Sequence, residues 1–178
     1  MKRTFILIFI LFSGICVFGQ ADPIDEIFNK YSEKEGFTYV SFSTRMLGLL
    51  AGIEVQSGNS DNVMLHLKSI RILSENDSIP HPGVNFYSEL SKKLNLSVYE
   101  ELMVVKEGQN VTKFLVKQSG DKISELLVIS GGKGGNTLIS IRGDINLKEI
   151  SQLSKTMGME ELEQLEEIDK KESGKKEE

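Results

Sequence analysis

Apolar positions along this chain follow two different spacings, and the change from one to the other divides it. In the first half the dominant spacing is helical. Ile24, Ile27, Phe28 and Tyr31 recur every three or four residues and so share one face of a helix. Asp22 supplies an N-cap and Pro23 the first helical position, while Gly36 marks the C-terminal end. Residues 37–42 (FTYVSF) read as a strand, and Ser43 caps a second, short helix carrying Met46, Leu47, Leu49 and Leu50. A polar loop over 56–62 precedes a strand over 65–73, with Ile70 and Ile72 facing inward. The loop 74–83 (SENDSIPHPG) leads to a third helix marked by Phe86, Tyr87, Leu90 and Leu94.

After Ser97 the chain turns to β-type runs, at 101–106, 111–118, 122–130 and 137–142. Short turns at 107–110, 119–121 and 131–136 join them. Such links favour consecutive antiparallel strands, because a parallel return needs a much longer crossover. A last helix starts at Asn146, with Glu149 completing a capping box and Ile145 and Ile150 as the hydrophobic staple. The predicted class is α+β: a two-layer sandwich of a largely antiparallel sheet with helices on one face, ferredoxin-like or related. One domain spans 20–158. Residues 159–178 form a charged tail in which Met159, Leu162, Leu165 and Ile168 make a stripe, suited to a partner or to docking on its own domain.

Ahead of this domain stands a segment with a different logic. Lys2 and Arg3 precede an apolar run from Phe5 to Phe12, which softens into small residues near Gly19. This is the layout of a secretory signal peptide over 1–19, cleaved between Gly19 and Gln20. The run is shorter than the roughly 20 apolar residues of a membrane span. Cys16 offers a competing lipidation site, but Ile15 occupies the position where the lipoprotein peptidase prefers a small residue. On the favoured cut the only cysteine leaves with the leader, so the mature domain forms no disulfide and relies on an ordinary core. Membrane attachment is expected only if Cys16 is lipidated.

Charge narrows the range of partners. The 178 residues carry 21 Lys and Arg against 26 Asp and Glu, a formal net charge of −5, and no basic stripe interleaved with aromatics. Nucleic acid is therefore not expected as a partner. The chain has no tryptophan, which leaves little for a sugar-stacking platform.

Four segments carry a family resemblance: IDEIFNKYSEKEGFTYVSFSTRML, KSIRIL, YEELMVVKEGQNVTKFLVKQSGDKISELLVIS and LISIRGDINLKEISQLS. Together they resemble the DUF4252 family of exported proteins from Bacteroidetes-type bacteria, over roughly 22–157. The resemblance implies a single periplasmic or surface-associated domain. The family has no established activity, so it lends no catalytic residue. Some members look like lipoproteins, and genes of this sort near sigma-factor genes point to envelope signalling.

Candidate chemistry is sparse. The 131–136 run (GGKGGN) looks like a phosphate loop, but Gly134 rather than Ser or Thr follows Lys133, and a strand rather than a helix comes next. It reads better as a flexible hairpin loop. His66, alternating with Leu65 and Leu67, reads as lying on a strand's solvent side; His81 lies in the proline loop, where Glu75 or Asp77 offers it a metal-binding companion. No catalytic, cofactor or metal site is assigned. Asp77-Ser78-Ile79 fits the Asp-Ser/Thr-aliphatic pattern of Bacteroidetes O-glycosylation, which makes Ser78 a modification candidate. The expected function is a non-enzymatic exported domain of the periplasm or envelope acting through contacts with another envelope protein. Two alternatives stand beside it: a small-ligand-binding protein or hydrolase with a pocket between sheet and helices, and a lipid-anchored envelope sensor.

Overall fold

The structure, a computed structural model, describes residues 22–56, 63–76, 79, 81–120, 122–146 and 150. Helix α1 (Pro23–Tyr31) starts as the sequence dictates: the Asp22 carboxylate accepts from the Ile24 N–H at 3.0 Å, and proline occupies the first turn. Its four apolar residues, Ile24, Ile27, Phe28 and Tyr31, are all buried. The helix stops five residues before Gly36, which instead sits in the turn with φ +81° and lets the chain reverse into β1 (Phe37–Ser43). Helix α2 (Thr44–Gln56) follows at once, with the Met46 N–H 3.4 Å from the Ser43 hydroxyl. It is longer than the short helix expected.

Strand β2 (Leu67–Glu75) starts two residues late, after a single 3₁₀ turn at Val63–Leu65. A bulge lies between Leu67 and Ser69 where β2 meets its neighbour. It explains why Leu67 and Ile70, an odd number of residues apart, face the same core. Ile70 is fully buried as expected, whereas Ile72 only packs against the edge of that core. Helix α3 (Phe86–Ser91) is capped by Asn85, whose side-chain oxygen accepts from the Ser88 N–H at 2.8 Å. Strands β3 (Glu100–Glu107), β4 (Asn110–Ser119), β5 (Lys122–Gly131) and β6 (Thr137–Ile145) form the predicted antiparallel meander.

The six strands make one sheet in the order β1-β2-β6-β5-β4-β3, and every pairing is antiparallel. A ferredoxin-like order separates two helix-linked strands by a third. Here β1 and β2, linked through α2, are direct neighbours.

The expectation of helices on one face is corrected by the packing. Alternate residues of the central strands enter two separate cores. Phe114, Val116, Leu126, Val128, Ile139 and Ile141 pack with Leu47 and Ala51 of α2 on one side. Leu115, Leu127, Ile129 and Leu138 pack with α1 and with Phe86 and Leu90 of α3 on the other. The sheet is therefore the middle of three layers. The runs 126–129 and 138–141 are apolar or small at nearly every position because both faces are covered. Ile150 joins the α2-side core beside Ile145, and its N–H bonds to the Asn146 carbonyl at 3.0 Å, as a helix start at Asn146 requires; Glu149 of the capping box lies outside the described residues.

Candidate functional site

The loops at one end of the sheet surround a cleft of about 790 Å³. Its walls come from the end of β2 (Glu75), the connection to α3 (His81 to Asn85), the β3–β4 turn (Gln109) and the 131–136 loop between β5 and β6. The last of these is the glycine run singled out from sequence. It is a hairpin loop, but one fixed at two points, its middle and its last residue. Asn110 holds its middle: the Gly134 N–H donates to Asn110 Oδ1 at 2.7 Å. A Cβ on Gly132, at φ +153°, would come within 2.7 Å of the Asn110 Cα, so only glycine lets the loop lie this close to β4.

Asn136 holds the end of the loop. Its side chain is buried and makes three hydrogen bonds into the neighbouring segment. It donates to Glu75 Oε2 at 2.6 Å and to the Val84 carbonyl at 3.2 Å, and accepts from the Phe86 N–H at 2.8 Å. Glu75 in turn accepts from the His81 backbone N–H at 2.8 Å. The His81 ring lies over Phe37, centroids 4.6 Å apart, and against Gly36, where no larger residue would leave it room. His81 Nδ1 is 3.4 Å from Glu75 Oε1 without forming a hydrogen bond. Of the two companions the sequence offered His81, Glu75 lies beside it in the cleft wall, and Asp77 lies outside the described residues. Among the described residues no group of three or more His, Cys, Asp or Glu side chains is placed to hold a metal ion. His66 is exposed in the turn before β2, with its carbonyl accepting from the Asp144 N–H.

A second polar cluster, not foreseen from sequence, lies under the start of α1. Glu125 shares the sheet face of Leu127 and Ile129 yet is buried. It accepts from Arg142 Nε at 2.7 Å, the Tyr99 hydroxyl at 2.8 Å and the Ser140 hydroxyl at 3.1 Å. Arg142 also reaches Asp22 at 2.5 Å, and Arg71 pairs with Asp25 at 2.5 Å while lying over the Phe28 ring. The cluster joins the N-terminus of α1 to β2, β5 and β6 through oppositely charged groups. A run of alternating residues in which Glu125 and Arg142 fall on core-facing positions was the available signal.

Burial raises the Tyr99 phenol above its ordinary value, and the nearby Glu125 carboxylate raises it further. The folded protein therefore keeps the phenol neutral where the unfolded chain has begun to ionise it, from about pH 10. That stabilisation is complete below about pH 10 and is lost as the pH rises towards the folded-state value. Tyr99→Phe should cost about 1.5–3 kcal/mol at neutral pH, the range for a hydrogen bond to a charged group. It should also flatten the fall in melting temperature above pH 10, which thermal melts across pH 7–11 would read.

The signal-cleavage residues Gly19 and Gln20, the lipidation candidate Cys16 and the glycosylation candidate Ser78 lie outside the described residues, as does the 159–168 stripe. No helix among the described residues is long and apolar enough to cross a membrane. No curated protein and no solved structure matches the chain. One family model does, a domain of unknown function, over residues 31–153. That stretch contains all six strands, α2, α3 and every loop that walls the cleft, and the chain belongs to the DUF4252 family.

Proposed function

We propose that this chain is an exported binding domain without catalytic chemistry, and that it holds a small polar ligand in the cleft beside the 131–136 loop. The cleft carries the proposal: about 790 Å³ falls within the roughly 300–1,000 Å³ usual for ligand sites. Its lining suits binding. Asn85, Gln109 and the glycine backbone offer hydrogen-bonding groups, and Lys133 places one ammonium at the lip. A hydrolase of the serine or cysteine type needs a nucleophile beside its base. Among the described residues lining the cleft there is no Ser, Thr or Cys. Over the central strands helices pack on both faces, which leaves contact with another protein to the sheet's edges. Export rests on the 1–20 segment alone.

The test is native mass spectrometry of the protein recovered from the cells that make it. Wild type should carry a small-molecule adduct, and Gln109→Trp, which fills the cleft mouth from an exposed turn, should lose it while keeping its melting temperature. Wild-type protein without an adduct, or an adduct that Gln109→Trp retains, counts against the cleft. The same spectra read the leader: a chain starting at Gln20, free or cyclised, marks cleavage after Gly19, and an acylated Cys16 marks a lipid anchor.

A further inference from the structure

The two edges of the sheet are built differently. β3 (EELMVVKE) carries charged residues at both ends and a bulge between Glu101 and Met103, devices that discourage pairing with another strand. β1 (FTYVSFS) has no charge, no proline and no glycine, and no bulge interrupts its pairing with β2. Among the described residues its outer side pairs with no strand and is a seven-residue row of regular strand. Tyr39 and Val40 are each 38% exposed, and the helix that follows exposes Met46 at 43% and Leu49 at 61%. Residues 37–56 hold only one cation, Arg45, and one anion, Glu54, in a chain that is 26% charged.

We infer that β1 is a self-association edge: two copies of this chain pair their β1 strands antiparallel across a two-fold axis at Val40, joining their sheets. Backbone parity supports this register. The Asn76 N–H donates to the Gly36 carbonyl at 2.7 Å, in line with the pairing of Phe37 with Glu75. In an antiparallel ladder that alternation turns the even-numbered residues of β1 towards β2 and leaves the N–H and C=O groups of Tyr39 and Ser41 pointing outward. A two-fold axis at Val40, the centre of the strand, sets Tyr39 of each copy opposite Ser41 of the other, so these outward groups bond reciprocally. The interface is isologous, as a closed dimer requires. A second copy also fits the charge. A net charge of −5 opposes contact over most of the surface, whereas the 37–56 segment is neutral and sets no like charges opposite each other.

Crosslinking reads the register. In a Cys16→Ser background the chain has no other thiol, so Val40→Cys introduces the single cysteine. At the axis its two copies form a non-hydrogen-bonded pair, with Cα atoms about 4.5 Å apart, within disulfide range. Under mild oxidation V40C should become a covalent dimer, while V104C on the other edge should stay monomeric. Sedimentation of the wild-type chain should give twice the mass of one chain, and Val40→Lys, which sets two ammonium groups face to face, should return it to the single-chain mass. If V40K fails to fold, the crosslinking result decides. A wild-type chain that sediments as a monomer at every concentration tried, or V104C crosslinking as readily as V40C, overturns the inference.

Discussion

Arg142→Met is expected to lower the free energy of unfolding by about 3 kcal/mol, the lower end of the roughly 3–5 kcal/mol seen when one partner of a buried ion pair is removed. The lower end applies because the Arg142 side chain keeps 30% of its exposure, whereas that of Glu125 keeps 8%. The loss arises chiefly at Glu125. Its carboxylate would remain buried with the Tyr99 and Ser140 hydroxyls as its donors and no cation beside it. Adding Glu125→Gln should recover much of the loss, because the amide removes the stranded charge, its oxygen accepts from one hydroxyl and its nitrogen donates to the other, which turns to accept. Urea unfolding of the two single variants and the double variant measures the coupling directly. A double variant no more stable than R142M would show that the packed stem of Arg142, rather than its charge, holds α1 to the sheet.

The parts of this fold that the sequence makes readable are those governed by local geometry. Asp22, Pro23 and the four apolar residues that follow specify α1 because capping, proline φ and a 3.6-residue period act within one turn of each other. The β3–β6 meander is readable because turns of a few residues leave no room for a parallel return. Non-local consequences are harder to see. The runs LLVI at 126–129 and LISI at 138–141 did carry the information that both faces of the sheet are buried, since a strand with one wet face alternates. The bulge at Leu67–Ser69 inverts the facing of the first residues of β2, and its one mark in the sequence is on the facing strand, where Gly143 at φ +154° lets the two backbones meet closely. The cleft shows the same division. The glycine run and His81 stand out in the sequence, yet their meeting depends on the order β2-β6-β5-β4, which places four chain segments at one end of the sheet. Asn136 looked like the last residue of a turn, and only the fold shows it reaching across to Glu75, Val84 and Phe86.

Asn136 is accordingly the position where a one-atom-group change should be felt most at the cleft. Asn136→Ala leaves the buried Phe86 N–H without its acceptor and Glu75 without its amide donor. Stranding a buried polar group costs about 1–3 kcal/mol each, so a loss of about 3 kcal/mol is expected. Asn136→Asp separates the two contacts. Its carboxylate can still accept from the Phe86 N–H, but its second oxygen replaces the amide nitrogen that lies 2.6 Å from Glu75 Oε2. Two carboxylates this close cannot both be ionised without penalty. N136D should therefore be at least as unstable as N136A at pH 7 and should regain stability as the pH falls and the pair takes up a proton, whereas N136A should not. Melting temperatures of both variants between pH 4 and 8, set against wild type, make the comparison. Parallel pH profiles for the two would mean that the contact with Glu75 contributes little, and that the 131–136 loop is held instead by Asn110 and the Phe86 N–H. N136A frees the loop from α3 and N136D sets it against Glu75, so any adduct bound by the wild-type cleft should be weakened by the same substitutions that lower its stability.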